Sequence, residues 1–405
     1  MSLSRIAKSI GESATLRLNR TAAELRRRGE AVIHLGGGEP RSQAPAEAVL
    51  SASDLLRTRE VRYAPPDGTP VLKDAIADYT EEFYERPTSP DDVIAAGGAK
   101  QALMVCLQAI LDPGDEVVYP APYWVSYPEM VRLVGGVGIP VIPAAGGFVP
   151  SLADIERAVG ESCKAVILNS PNNPSGAVYP DEVISDVVQF CERRGLWLIM
   201  DDIYHRLIFD GLTAASCWKY ARDRSSGSRL VIINGVSKQY AMTGFRIGWA
   251  VGNRTLIGAM TNIQSHQSSG PSTLSQAAAV GALRGGRASV DRLRLELETS
   301  RNVLVDGLLR VAGVRLAPPH GTFYCFPDFR AHGSDSVKLA AYLLDRAKVV
   351  TVPGVEFGFE GHLRLSFCGP EDEIREGIER IRWAVDPTAP REITIGGRTI
   401  ARDGA

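Results

Sequence analysis

From about residue 70 the chain alternates amphipathic stretches with short apolar runs. Leu72–Arg86 reads as a helix and Val93–Ala96 as a strand. Ala99–Leu111 reads as a second helix, with Leu103, Leu107 and Ile110 on one face and Asp112-Pro113-Gly114 closing it. Glu116–Tyr119, Ala165–Leu168, Leu196–Met200 and Leu230–Ile233 are short buried strands, and Phe245–Val251 reads as another. Apolar strands this short, separated by helices, predict an α/β fold with a mostly parallel central sheet. Upstream, residues 16–29 alternate apolar and basic positions at helical spacing as far as Gly29. Ala31–Leu35 is a short strand running into the turn Gly36–Pro40. After about residue 288 the pattern changes. A long charged helix (Ser289–Ala312), a hairpin-like Thr322–Phe326 and a final helix (Glu371–Val385) predict a smaller α+β domain. The expected division is an N-terminal segment 1–46 that joins the small domain, a large domain 47–287, the small domain 288–385 and a tail 386–405. Proline, glycine and charge in that tail predict an exposed or disordered end.

At 405 residues the chain exceeds one ordinary domain. Apolar content of 44 %, a net charge of −2 and a pI near 6.4 give no electrostatic footprint for nucleic acid or an anionic membrane. No apolar run approaches membrane-spanning length, and the start Met1-Ser2-Leu3-Ser4-Arg5-Ile6 does not read as a signal peptide, so the expected location is the cytoplasm. The six cysteines (106, 163, 191, 217, 325 and 368) have no paired ligand spacing and read as reduced, mostly buried thiols. No metal site is expected from them or from the scattered histidines.

Lysine is scarce, 8 residues against 37 arginines, so a lysine kept between two apolar runs suggests chemistry that a guanidinium cannot do. Lys238 lies on the link between Leu230–Ile233 and Phe245–Val251. A lysine there is readily desolvated, which lowers its pKa and frees the amine to attack an aldehyde. From this stretch alone a surface lysine on a loop fits as well. The run Gly235-Val236-Ser237-Lys238, followed eight positions later by Arg246, resembles the cofactor-attachment signature of class I aminotransferases, which use pyridoxal 5′-phosphate (PLP).

A PLP site must hold the phosphate, keep the ring nitrogen protonated, anchor the aldehyde and place the substrate carboxylate. Gly97-Gly98-Ala99-Lys100, between a strand and a helix, leaves the first helical N–H groups open to an anion, with Arg246 as a second phosphate contact. Glycines at such a turn are also commonly structural. Asp201, in Asp201-Asp202-Ile203-Tyr204 at a strand's carboxyl end, suits the ring nitrogen, and Tyr204 suits the ring's 3-oxygen. An isolated acid there equally caps the next helix. Asn173, in Ser170-Pro171-Asn172-Asn173-Pro174-Ser175-Gly176, suits the same 3-oxygen, or belongs to a plain turn. Arg364 alternates with apolar neighbours in Gly361–Ser366 and offers a bidentate fork for a carboxylate; a buried salt bridge is its structural alternative.

The resemblance runs from about residue 5 to 385. It extends through Tyr63-Ala64-Pro65-Pro66-Asp67-Gly68, Asp112-Pro113-Gly114-Asp115, Pro122-Tyr123-Trp124-Val125-Ser126-Tyr127-Pro128 and Val352-Pro353-Gly354, and is strongest with bacterial enzymes of the aspartate/prephenate type. It implies a fold type I PLP-transferase with the cofactor in the large domain. It also implies a ping-pong aminotransferase working between an L-amino acid and a 2-oxo acid. Lys238 then carries the cofactor as a Schiff base and moves the proton between Cα and C4′. Trp124 stacks on the ring, Asn173 and Tyr204 hold its 3-oxygen, and Asp201 holds N1. Gly98, Ala99, Lys100, Ser237 and Arg246 belong to the cofactor side. Arg364 grips the α-carboxylate, with Gly38, Trp124 and Asn173 beside the substrate. Tyr63 reaches the phosphate of a neighbouring subunit, which implies a homodimer with shared active sites. Lys100 and Thr15 resemble positions that bind a distal carboxylate, which implies aspartate or glutamate with 2-oxoglutarate or oxaloacetate; Lys100 equally reads as an exposed first-turn residue. Two departures stand out. Gly235 replaces a hydroxyl that many relatives carry, so one phosphate bond is missing or replaced. Arg41 enters Gly38-Glu39-Pro40-Arg41-Ser42 and puts a cation near the site entrance. The same fold also carries PLP enzymes of elimination, replacement or oxidation, and the sequence barely separates these from transamination.

Overall fold

Seven strands form the central sheet of the computed structural model, which describes residues 3–11, 14–222 and 227–402. In chain order they are β1 (Val93–Ala96), β2 (Glu116–Pro120), β3 (Val137–Val141), β4 (Cys163–Asn169), β5 (Trp197–Asp201), β6 (Leu230–Gly235) and β7 (Gly248–Val251). Their spatial order is β1-β7-β6-β5-β4-β2-β3. The run from β3 to β6 is parallel, and β7 lies antiparallel to both neighbours. Every residue of β1, β6 and β7 is buried, as the unbroken apolar runs require of strands covered on both faces. One face packs on the helices Ala99–Ile110 and Arg254–Gln267 through Leu103, Leu107, Ile110, Leu256 and Met260. The other packs on Pro70–Tyr84 and Asp181–Arg194 through Ile76, Tyr79, Val187 and Phe190. Each such side chain contributes about 1.5–3 kcal/mol. The strand expected over Phe245–Val251 begins only at Gly248. Thr243–Phe245 forms a 3₁₀ turn and Arg246 takes a left-handed φ of 56°, which turns the chain before β7 can start.

A second apolar core joins the long helix Arg287–Leu308 to the final helix Glu371–Val385 and to the strands Tyr324–Cys325 and Leu363–Ser366. Tyr324–Cys325 pairs across to Leu363–Ser366 and is not the hairpin expected from Thr322–Phe326. Ile33–His34, the only paired part of the strand expected over Ala31–Leu35, lies parallel to Val349–Val350. The Arg380 guanidinium donates to the Ala31 carbonyl at 2.5 Å.

Residues 386–402 are mostly exposed, as expected, but they are ordered. Glu392–Ile395 and Arg398–Ala401 form an antiparallel hairpin about Gly396-Gly397, both at positive φ. Ile393 and Ile400 pack on the second core, and the Trp383 Nε1–H donates to the Arg391 carbonyl at 3.2 Å. The Arg402 guanidinium donates to the Trp383 and Pro387 carbonyls at 3.1 and 3.2 Å. The period-two run Ile393-Thr394-Ile395 about a Gly-Gly turn is a hairpin signal that the segment's overall composition masks. Ending the chain at Asp386 is expected to cost about 2–4 kcal/mol, the apolar area of the hairpin's isoleucines, read as a lower midpoint in urea or on heating.

Candidate active site

A cavity of about 320 Å³ opens at the carboxyl ends of β4 and β5, where an open α/β sheet offers its ligand crevice. Its wall includes Gly38, Ala99, Lys100, Trp124, Asn173, Asp201, Tyr204, Ser237, Lys238, Arg246 and Arg364, all singled out from the sequence, and also Leu16, Asn169 and Tyr324, which were not. Tyr63 is not brought to this cavity; it is 98 % exposed. The side chain of Thr15 lies outside the described residues.

Lys238 follows β6 and points its Nζ into the cavity, donating to the Gly38 carbonyl at 2.7 Å. Burial pulls its pKa from 10.5 to about 8. The Arg364 and Arg246 charges act in the same direction, while Cys368 and Glu39 oppose them. A fraction of the amine is therefore unprotonated near neutrality. Asp201, the last residue of β5, is buried and does not cap a helix. Its Oδ2 accepts from the Tyr127 hydroxyl at 2.6 Å, and its Oδ1 has no partner. Burial raises this carboxyl to about 6 against the opposing Tyr127 bond. Asn169, at the end of β4, ties two features together: its amide donates to the Asp201 carbonyl at 2.8 Å, and its Oδ1 accepts from the Asn173 N–H at 2.8 Å.

Arg364 sits in the strand Leu363–Ser366, with Tyr324 at 4.2 Å and Phe357 at 5.1 Å from its guanidinium carbon. It donates to Asn173 Oδ1 and to the Gly36 carbonyl, both at 3.1 Å, and its Nε has no partner. Among the described residues no carboxylate pairs with it, so the salt-bridge alternative is not what the structure holds. Tyr204 and Tyr324 are buried, and burial holds both phenols protonated.

Gly98, next to the lining residue Ala99, caps the helix Ala99–Ile110 with a φ of 102°, and a Cβ there would fall 2.5 Å from Arg246 Nη2. Arg246 also donates to the Thr243 carbonyl at 2.9 Å and the Gly97 carbonyl at 3.3 Å. A helix N-terminus and a guanidinium thus face one point, the arrangement an anion requires. Lys100, in the first turn, is exposed and at the cavity mouth at once. Its Nζ stands 4.7 Å from the Trp124 ring centre, and partial burial, then Arg246, lower its pKa.

The two departures read differently in three dimensions. A Cβ on Gly235 would come 2.9 Å from the Ile247 carbonyl oxygen and 3.0 Å from Gly248 Cα, so glycine there lets β7 pass close by. Arg41 does not put a free cation at the entrance; Glu373 takes both its terminal nitrogens at 2.8 Å. The sequence reading also gave no role to Tyr127, although the residue lies in a motif it singled out. Among the described residues no group of three or more His, Cys, Asp or Glu could hold a metal, and no helix is long and apolar enough to cross a membrane.

The family model for aminotransferase class I and II matches residues 30–381, and the chain belongs to that family. It is 38 % identical over 388 residues to a probable aspartate/prephenate aminotransferase of Thermus aquaticus, covering 95 % of this chain and 99 % of that one. It is 37 % identical to an aspartate aminotransferase of Geobacillus stearothermophilus, covering 96 % and 100 %. The solved aspartate aminotransferase from Thermus thermophilus with maleate superposes with a TM-score of 0.90 at 38 % identity, over 94 % of this chain and 99 % of that one. The chain is a fold type I, PLP-dependent aminotransferase, moving an amino group between an amino acid and a 2-oxo acid. The residues present fit PLP: an unpartnered buried carboxylate oxygen suits a protonated ring nitrogen, a helix N-terminus beside a guanidinium suits a phosphate, and a desolvated amine suits an aldehyde.

Two measurements check this geometry. Covalent capture of PLP by the apoprotein is expected to quicken as pH rises, with a midpoint at about 8 where Lys238 loses its proton, and to vanish in Lys238→Arg. A midpoint near the ordinary lysine value would contradict the burial argument. Gly235→Ser is expected to destabilise the protein by about 1–3 kcal/mol through overpacking against β7, without tightening PLP, in paired melting and cofactor titrations.

Proposed function

We propose that the residues of this cavity divide the work of transamination as follows, with a dicarboxylic amino acid, aspartate or glutamate, as donor and 2-oxoglutarate or oxaloacetate as acceptor. The carrying observation is the separation of cations in the cavity: Arg364 at depth, bonded only to neutral oxygens, and Lys100 at the mouth. A substrate with one carboxylate needs one of these; a dicarboxylate uses both. The names of the Thermus and Geobacillus relatives support the same substrate class.

When bound, PLP supplies a carbonyl that captures the substrate amine and a ring that accepts the electron pair left at Cα. In this reading Asp201 Oδ1 keeps the ring nitrogen protonated. Asn173 and Tyr204 hold the 3-oxygen, and Trp124 covers one ring face. Arg246, the Gly98–Lys100 turn and Ser237 hold the phosphate. Arg364 fixes the α-carboxylate beside Gly38, and so fixes which face of Cα meets Lys238. The freed Lys238 amine takes the proton from Cα and returns it at C4′. Lys100, with Thr15, receives the distal carboxylate.

The reading includes a cytoplasmic homodimer with shared sites. The 98 % exposure of Tyr63 supports it, as do the exposed Val49, Leu50, Leu56 and Val61 along and after the helix Ala46–Thr58, an apolar surface for a second copy. It also keeps the division into an N-terminal segment 1–46, a large domain 47–287, a small domain 288–385 and a tail.

The test is a half-reaction without any 2-oxo acid. Aspartate or glutamate alone is expected to convert the absorption of the PLP-loaded protein to that of the pyridoxamine form, and 2-oxoglutarate to restore it. Product release without a 2-oxo acid, with no such conversion, would instead mean elimination or oxidation. Lys100→Ala is expected to lower kcat/KM for aspartate about tenfold or more while leaving a monocarboxylic donor unchanged, the loss of one partly screened ion pair. An equal loss for both donors would sink the distal-carboxylate assignment.

A further inference from the structure

Arg364 sits on a strand whose Leu363 and Leu365 belong to the second core, whereas Asp201 ends a strand of the sheet and Lys238 follows another, so something must set the distance between them. The loop Pro143–Pro150, between β3 and the helix Leu152–Ala158, starts from the sheet and reaches the Phe326–Phe359–His362 rings through Phe148. Its base is pinned: the Ala144 N–H donates to Asp154 Oδ1 at 3.3 Å and the Gly146 N–H to the Pro143 carbonyl at 3.2 Å. Its tip stands clear, since a Cβ on Gly146 or Gly147 would meet nothing within 4 Å. Phe148 then turns inward onto a small apolar cluster of its own, built on Phe326, Val352 and Phe357. Its ring centre lies 5.6 Å from Phe326, 5.7 Å from Phe359 and 5.9 Å from His362.

Those three rings form the platform of the carboxylate grip. His362 stacks on Phe326 at 5.1 Å and precedes Arg364 by two residues. Phe326 follows the cavity residue Tyr324 by two and packs on Phe357 at 5.6 Å, and the Arg364 guanidinium lies over both Tyr324 and Phe357. Neither Phe148 nor the platform rings line the cavity. Edge-to-face aromatic contacts are short-ranged and directional, so they hold a separation that a solvated loop would not.

We propose that Phe148 is a positioning residue for substrate binding: it latches the Phe326–Phe359–His362 platform to the sheet and so sets where Arg364 meets the substrate carboxylate relative to Lys238. The proposal rests on the reading of Arg364 as that grip. The test uses the PLP-loaded protein and succinate, an unreactive dicarboxylate whose binding is followed by absorption. In Phe148→Ala the succinate dissociation constant is expected to rise about tenfold, about 1.4 kcal/mol, with KM for aspartate rising in parallel. Expected alongside are a kcat within about twofold of native and an unchanged PLP affinity, the pattern of lost substrate binding without lost chemistry. Phe148→Leu, which keeps apolar bulk, is expected to recover most of the affinity. Unchanged succinate binding in Phe148→Ala overturns the proposal. So does a joint fall in PLP affinity, kcat and succinate binding that Phe148→Leu does not recover, because that pattern is general damage. Arg364→Gln separates the two layers. If it leaves succinate binding intact, the grip reading fails and the latch with it. If it abolishes binding while Phe148→Ala does not weaken it, the latch alone fails.

Discussion

An amine and a carboxylate share one buried cavity here without pairing with each other. Lys238 donates to a backbone carbonyl, and Asp201 accepts from a phenol. Had the two paired, Coulomb attraction would have held the amine charged and the carboxylate occupied. Kept apart and desolvated, each is shifted toward its neutral form and left available to a third party. Such an arrangement is expensive to fold, since each group is stripped of water without the compensation of an ion pair. The rest of the molecule can be read as the scaffold that meets this cost: two apolar faces on a seven-stranded sheet, and a second core that supplies Gly38, Tyr324 and Arg364 from another direction.

Close backbone approach is the means by which these groups are brought together. Glycine at 235 lets β6 lie close against β7, and glycine at 248 lets β7 run directly beneath the first turn of the helix Ala99–Ile110, so that Lys238 and the first turn of that helix line one small space. Asn169 does the equivalent work at the next strand end, with one side chain bonded to the backbone of both Asp201 and Asn173. The site's polar groups are thus mostly oriented by main-chain contacts, which do not depend on rotamer choice.

How much of this was legible in the sequence differs by kind of signal. Strands such as Val93–Ala96 and Leu230–Ile233 and the helix Glu371–Val385 were readable because burial writes itself as apolar runs or helical periodicity. Lys238, Asp201, Asn173, Arg246 and Arg364 were readable only as a set: alone, each had an equally good structural explanation, and a long ordered signature joined them. Gly235 and Arg41 were visible as anomalies, but their surroundings were not. What explains the first is a backbone passing nearby and the second a glutamate on the distant helix Glu371–Val385, and neither partner is adjacent in sequence. Tyr127 and Phe148 had no signal of their own, because a phenol bonded to a carboxylate and a ring filling a gap look like any other core aromatic. The terminal hairpin was hidden by averaging: over the whole tail Pro, Gly and charge dominate, while over eight residues the alternation is plain.

The pairing of Ile33–His34 with Val349–Val350 has a temporal side. During synthesis the sheet strands, all between residues 93 and 251, emerge together and can condense as a unit. The segment that carries Gly38 precedes them in the chain, yet the strand it joins, Val349–Val350, follows the whole of the sheet. The strand that carries Arg364 and the terminal hairpin come later still. Along the chain, the lysine and the anion-facing helix therefore precede the strand that Ile33–His34 must pair with, and the cavity is closed by contacts that reach across the whole of the sheet's sequence.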